Sequence, residues 1–237
     1  MNKALTLLAG ALLVPFLSSQ AWADDEATAK SVNAVGVVKY EIPAEAGLAC
    51  IALPLNPIET SSTNGCWVWG ETSLAEQLDK GSMVYFWTGS KWSGFTKNRL
   101  TGVWAGAVDR EIQPGEAFFV KSAASNKTAK IISLLGELPT EETLSYDITG
   151  SNNLDTRSVT MYPVAVEFGE TELAEALPKG SMVYFWTGSK WAGFTKNRLT
   201  GVWAGATNRP VSIGEGVFIK STGSASTVEM ERPFDWD

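Results

Sequence analysis

Histidine is absent from the 237-residue chain. That removes the commonest general base, the usual nucleophile triads and most zinc, copper and iron sites. Cysteine is scarce: there are two, Cys50 and Cys66. Joined to each other, they leave no thiol nucleophile. Basic charge is in deficit, with 19 Lys and Arg against 26 Asp and Glu, a net charge of −7. Nucleic acid needs a surface of the opposite sign, and an anionic membrane surface is disfavoured for the same reason. Beyond residues 4–17 no apolar run approaches the roughly 20 residues that cross a bilayer as a helix. Nothing has the glycine pattern of a phosphate-cradling loop.

The N-terminus carries a secretory pattern: Lys3, an apolar stretch over residues 4–17, and the small-x-small site Ala21-Trp22-Ala23. Cleavage is expected after Ala23, and residues 24–33 read as a polar, flexible leader. The expected location is extracellular or at the cell surface, with the periplasm as the alternative. Outside the cytosol, Cys50 and Cys66 are expected to form a disulfide. The short loop it closes corresponds to about 3 kcal/mol of chain entropy.

What the chain has is a repeat. Residues 81–107 read GSMVYFWTGSKWSGFTKNRLTGVWAGA, and residues 180–206 are identical except that Ser93 becomes Ala192. The 14 positions that follow agree only at Arg110, Gly115, Glu116, Phe119 and Lys121. A nearly frozen block in drifting surroundings marks a tandem duplication and points to where shared function sits. The first copy spans residues 34–134 and the second 135–237. The first has about ten extra residues around Cys66, a loop that the disulfide would tie down.

Alternating segments, turn residues and one short helix per copy give about seven strands each. The fold class is all-β: two tandem antiparallel β-sandwich or small-barrel domains. A third strand of the block is expected near residues 102–107. Ser73 and Glu76 have the capping-box spacing, and Gly81 with Lys80 marks the helix end. Within the block, Gly89-Ser90 suits a two-residue hairpin turn. It pairs Trp87 with Trp92, Phe86 with Ser93, Tyr85 with Gly94 and Val84 with Phe95. Tyr85, Trp87 and Trp92 then share one face, and Val84, Phe86 and Phe95 share the other.

Both faces cannot be exposed. Val84, Phe86 and Phe95 are assigned to the core. The other face is either a second buried layer, including packing of one copy on the other, or an exposed aromatic platform. The identical Lys97, Asn98, Arg99 and Thr101 reflect either a recent duplication or a shared partner.

The ordered set VYFWTGSKW, GVW and PGEAFFVK, with IGEGVFIK in the second copy, resembles uncharacterised repeats of secreted bacterial proteins. That resemblance implies an all-β secreted module and no particular activity. The expected function is that of a non-enzymatic cell-surface or extracellular structural or adhesive protein. Its contacts would be Tyr85, Trp87, Trp92, Lys97 and Arg99 with Tyr184, Trp186, Trp191, Lys196 and Arg198. The partner would be a second copy or another surface protein. The alternative is a tandem carbohydrate-binding protein. A hydrolase using carboxylates alone trails, because Glu76, Glu116 and Glu215 read as structural. No cofactor or metal is expected; residues 151–155 offer oxygen ligands but read equally as a turn.

Overall fold

Alternation of apolar and polar side chains builds the first half. In the computed structural model, which describes residues 34–235, this half contains β1 (Val35–Ile42), β2 (Leu48–Ala52), β3 (Trp67–Val68), a 3-10 turn (Trp69–Glu71) and α1 (Ser73–Gln77). There follow β4 (Met83–Trp87), β5 (Trp92–Thr96), β6 (Glu111–Ile112), β7 (Ala117–Lys121) and β8 (Lys130–Glu137). The signal segment and leader lie outside the described residues.

The second half repeats the order: β9 (Thr143–Ile148), β10 (Leu154–Ser158), β11 (Val166–Glu167), a 3-10 turn (Phe168–Glu170) and α2 (Glu172–Ala176). It continues with β12 (Met182–Trp186), β13 (Trp191–Thr195), β14 (Pro210–Val211), β15 (Gly216–Lys220) and β16 (Ser226–Glu231). Every strand pairing is antiparallel among the described residues. Each half has a four-stranded sheet, β2-β7-β4-β5 or β10-β15-β12-β13. Each also has a long two-stranded ribbon, β1-β8 or β9-β16, and a short pair, β3-β6 or β11-β14. No closed barrel forms among these strands.

One face of each four-stranded sheet makes that half's own core. In the first half Val84, Phe86, Phe118 and Val120 pack with Tyr40, Ile42, Ile132 and Leu134 of the ribbon and with Leu74 and Leu78. Trp69 sits at the centre, edge-on to Phe86, Trp104 and Phe118 at 5.0–6.0 Å. Phe168 takes its place in the second half, against Phe185 and Trp203. β7 reads AFFV without alternation because both of its faces are buried. Its second face, Ala117 and Phe119, belongs to a third cluster shared by the two halves.

The hairpin register agrees with the sequence reading pair for pair: Trp87 opposite Trp92, Phe86 opposite Ser93, Tyr85 opposite Gly94. Gly89 has φ +90°, a turn geometry that glycine adopts without strain. A Cβ on Gly94 would lie 2.8 Å from the Tyr85 ring, so the glycine is what lets that ring lie flat on the strand.

Three local expectations fail. Residues 102–107 form no strand. Gly102 and Gly106 take φ of +76° and +85°, which breaks the extension, and only Trp104 bridges back to Lys97. The helix cap is Thr72, whose side chain accepts from Ala75 N; Ser73 Oγ donates instead to the Ser133 carbonyl. The helix stops at Leu78 rather than at Gly81, and Lys80 donates away from it to Leu100 O.

Candidate functional site

The face bearing Tyr85, Trp87 and Trp92 is turned towards the other half. All three are half-buried, as are Tyr184, Trp186 and Trp191. Phe119 touches Trp92, Trp186 and Trp191 at ring-centre distances of 5.0, 5.3 and 5.5 Å. Phe218 touches Trp87, Trp92 and Trp191 at 5.0, 5.6 and 5.2 Å. Each contact is edge-to-face, the geometry that ring quadrupoles favour. Of the two readings of this face, packing of one copy on the other describes the contacts.

The polar contacts are reciprocal. Trp87 Nε1 donates to Leu154 O at 2.9 Å, and Trp186 Nε1 donates to Leu48 O at 2.8 Å. Ala52 N donates to Gly214 O, and Ser158 N donates to Gly115 O, both at 2.8 Å. A Cβ on Gly115 would run into Tyr146, and one on Gly214 into Tyr40. Such exchange is how two like surfaces close on each other. It also accounts for two of the five positions retained after the block. Gly115 and Phe119 make the crossing contacts. Arg110 and Glu116 form an ion pair at 2.6 Å, repeated by Arg209 and Glu215. Burial pushes the Glu116 carboxyl above its ordinary range, with Arg110 opposing.

Lys97 and Lys196 are not available to a partner, contrary to the sequence expectation. Lys97 is 9 % exposed, and its Nζ donates to the carbonyls of Ala75, Glu76 and Leu78, each at 2.8 Å. Lys196 does the same with Ala174, Glu175 and Leu177. A helix end leaves carbonyls without partners, and one ammonium carries three donors to meet them. Desolvation pushes the Lys97 pKa below the ordinary lysine value, with nearby Lys130 adding to the shift and Asp79 opposing it.

Arg99 and Arg198 are exposed, at the head of two identical loops. Asn98 Oδ1 accepts from Leu100 N and Thr101 N, Thr101 Oγ1 accepts from Val103 N, and Lys80 Nζ donates to Leu100 O at 2.7 Å. Loop 197–202 repeats every one of these bonds. This ordered backbone holds Leu100 at 86 % and Leu199 at 87 % exposure. Val103 and Val202 are exposed beside them. Sequence reading singled out the loop charges and missed the leucines, although both lie inside the repeated block.

Two equivalent grooves flank the crossing contacts. One, about 490 Å³, is lined by Trp87, Glu116, Tyr146, Asp147, Asp155 and Arg157. Its counterpart, about 460 Å³, has Trp186, Glu215, Tyr40 and Glu41, with Ala49 and Ile51 where the first has Asp155 and Arg157. Asp155 is buried, accepts from Thr149, and pairs with Arg157 at 3.3 Å. Ser151 and Asn152 form a left-handed turn. No group of three or more Cys, Asp or Glu side chains that could hold a metal occurs among the described residues.

The Cys50–Cys66 disulfide is contradicted: both thiols are free and buried. Cys50 lies in the cluster between the halves, its sulfur against Gly216. Burial pushes its thiol pKa far up, with Glu215 adding to it. Cys66 lies in the inserted loop, which other bonds hold. Thr60 Oγ1 donates to Cys66 O at 2.6 Å, and Ser62 Oγ to Glu111 Oε1 at 2.7 Å. Among the described residues no helix is long and apolar enough to cross a membrane. Comparison with protein-family models, with curated proteins and with solved structures finds no match.

Proposed function

We propose that this is a non-enzymatic, exported structural or adhesive protein that offers the same contact twice, once from each half. The observation that carries the reading is the pair of loops at residues 98–103 and 197–202. Packing within the chain accounts for the repeated aromatics, Lys97 and Lys196. It does not account for a leucine that an ordered loop holds almost wholly in solvent, twice. A single exposed leucine would need no explanation; two in identical settings favour a common partner. The anchors of the contact are therefore Leu100, Val103, Leu199 and Val202, with Arg99 and Arg198 fixing orientation. The indoles hold the two halves together.

The partner is another protein surface of the cell envelope or matrix. Two linked contacts raise apparent affinity by about 10²- to 10⁴-fold over one. The test is retention of the exported protein on its producing cells. Leu100→Ser with Leu199→Ser should release it into the medium while its circular dichroism stays that of the wild type. Either change alone should release only part. Full retention of the double variant would refute the reading.

Carbohydrate binding remains as a second reading, favoured by the grooves. Each places one indole, Trp87 or Trp186, beside fixed polar groups, the combination that a sugar ring requires. It predicts that soluble polysaccharide changes tryptophan fluorescence in the wild type and not in a Trp87→Phe, Trp186→Phe variant. No response in the wild type would remove it.

A further inference from the structure

The four-stranded sheets have two edges each, and the molecule treats them differently. The β2 and β10 edges are covered by the opposite half, through Ala52 N to Gly214 O and Ser158 N to Gly115 O. Among the described residues, no strand pairs with the β5 and β13 edges. Their open backbone groups follow from the register. Thr88 N donates to Lys91 O, so Thr88 and Lys91 form a hydrogen-bonded pair. Antiparallel pairs alternate, which makes Phe86 and Ser93 the next such pair and turns the N–H and C=O of Trp92, Gly94 and Thr96 outward. At Thr96 the chain covers its own edge, since Ala105 N donates to Thr96 O at 3.1 Å. Trp92 and Gly94 stay open. In β13 the same holds for Trp191 and Gly193, with Ala204 N on Thr195 O.

Proteins commonly blunt such edges with a charge, a proline or a bulge. Neither WSGFT nor WAGFT contains a charge or a proline. Both strands lie inside the repeated block, so the two edges present the same backbone and nearly the same side chains.

We propose that β5 and β13 are docking edges for a second copy of this chain, joined antiparallel with Ser93 or Ala192 opposite its counterpart. This goes beyond the reading above: the loops meet another protein surface, and the edges meet a second copy of the chain. In that register Trp92 faces Gly193 and Gly94 faces Trp191, and all four outward residues exchange main-chain hydrogen bonds. The register also keeps the exposed Lys91 and Lys190 apart, opposite Phe194 and Phe95. A parallel arrangement would set the two lysines side by side, and adjacent like charges are unfavourable. With two edges per molecule, growth does not stop at a dimer.

The test is sedimentation velocity on the mature chain from micromolar to millimolar concentration. The wild type should form concentration-dependent species larger than a dimer. Ser93→Lys with Ala192→Lys places like charges opposite each other and should leave a monomer with unchanged circular dichroism. Ser93→Glu with Ala192→Glu should do the same, and an equimolar mixture of the two variants should reassemble. The Leu100→Ser, Leu199→Ser variant should assemble like the wild type. A wild type that stays monomeric, charged variants that assemble like it, or a mixture that stays monomeric would each overturn the proposal. A monomeric wild type that is still retained on cells sinks the edges and leaves the loops standing. Assembly by a protein that cells do not retain does the reverse.

Discussion

A lysine in this chain does work that its position in a charged loop conceals. Lys97 follows a strand and precedes Asn98 and Arg99, a context that reads as solvated charge. Its side chain instead crosses to the end of α1 and meets three carbonyls. Breaking a buried charged interaction on one side strands its partners, which costs more than the interaction itself contributes. Lys97→Met should therefore lower stability by about 2–3 kcal/mol in urea denaturation. Lys80→Met, whose ammonium bonds one exposed carbonyl, should change it by roughly 0.5 kcal/mol or less. Equal effects at the two sites would contradict the capping role. The same reasoning covers Cys50: a small apolar side chain fits against Gly216, and the thiol is there for packing rather than for a bond to Cys66.

At the scale of the element, the connection from α1 into β4 is fastened differently in the two halves. Asp79 accepts from Asn126 Nδ2 at 2.7 Å and pairs with Lys130 Nζ at 3.0 Å, tying the helix exit to β8. In the second half the equivalent residue is Pro178. Desolvation alone would raise the Asp79 pKa. The bonds from Lys130 and Asn126 outweigh it and hold the carboxyl below its ordinary value. A depressed folded pKa means that the unfolded chain binds more protons in the window between the two values. The stabilisation is thus complete above the ordinary aspartate range and is lost as pH falls through the folded value. Melting curves from about pH 7 to about pH 2 should show Asp79→Asn less stable at neutrality and converging on the wild type in acid. A gap that stays constant with pH would refute this. The elements themselves were largely legible, because period-two alternation and Gly-Ser turn chemistry are local signals. The two-residue strands β3 and β6 were not, since two residues carry no period. The helix cap was misplaced by one residue because Thr72 and Ser73 are both capping residues, and only the fold shows that Ser73 Oγ is engaged with Ser133. The direction faced by Tyr85, Trp87 and Trp92 was legible as a shared face. What covers that face depends on contacts between residues far apart in sequence, such as Trp186 with Leu48, which no local pattern encodes.

Taken whole, the molecule is two similar halves that need each other's aromatics. Each four-stranded sheet is covered on one side by its own ribbon and helix, and on the other by its twin. A half standing alone would expose Phe119 or Phe218 together with the indoles of its hairpin, an apolar surface that usually needs a partner. The halves should therefore unfold in one transition, and a change at their shared cluster should move that transition as a unit. Phe119→Ala and Phe218→Ala should each cost about 3–5 kcal/mol, the range for deleting a buried phenylalanine. The two rings share partners, because Trp92 and Trp191 each touch both of them. Removing either ring loosens those indoles, so the second deletion has less left to disrupt. The double variant should lose less than the sum of the singles, by about 0.5–3 kcal/mol. A double-mutant cycle by chemical denaturation, followed by tryptophan fluorescence and by far-ultraviolet dichroism, measures both expectations together. Additive costs, or two separated transitions in any member of the cycle, would mean that the halves are neighbours without being coupled.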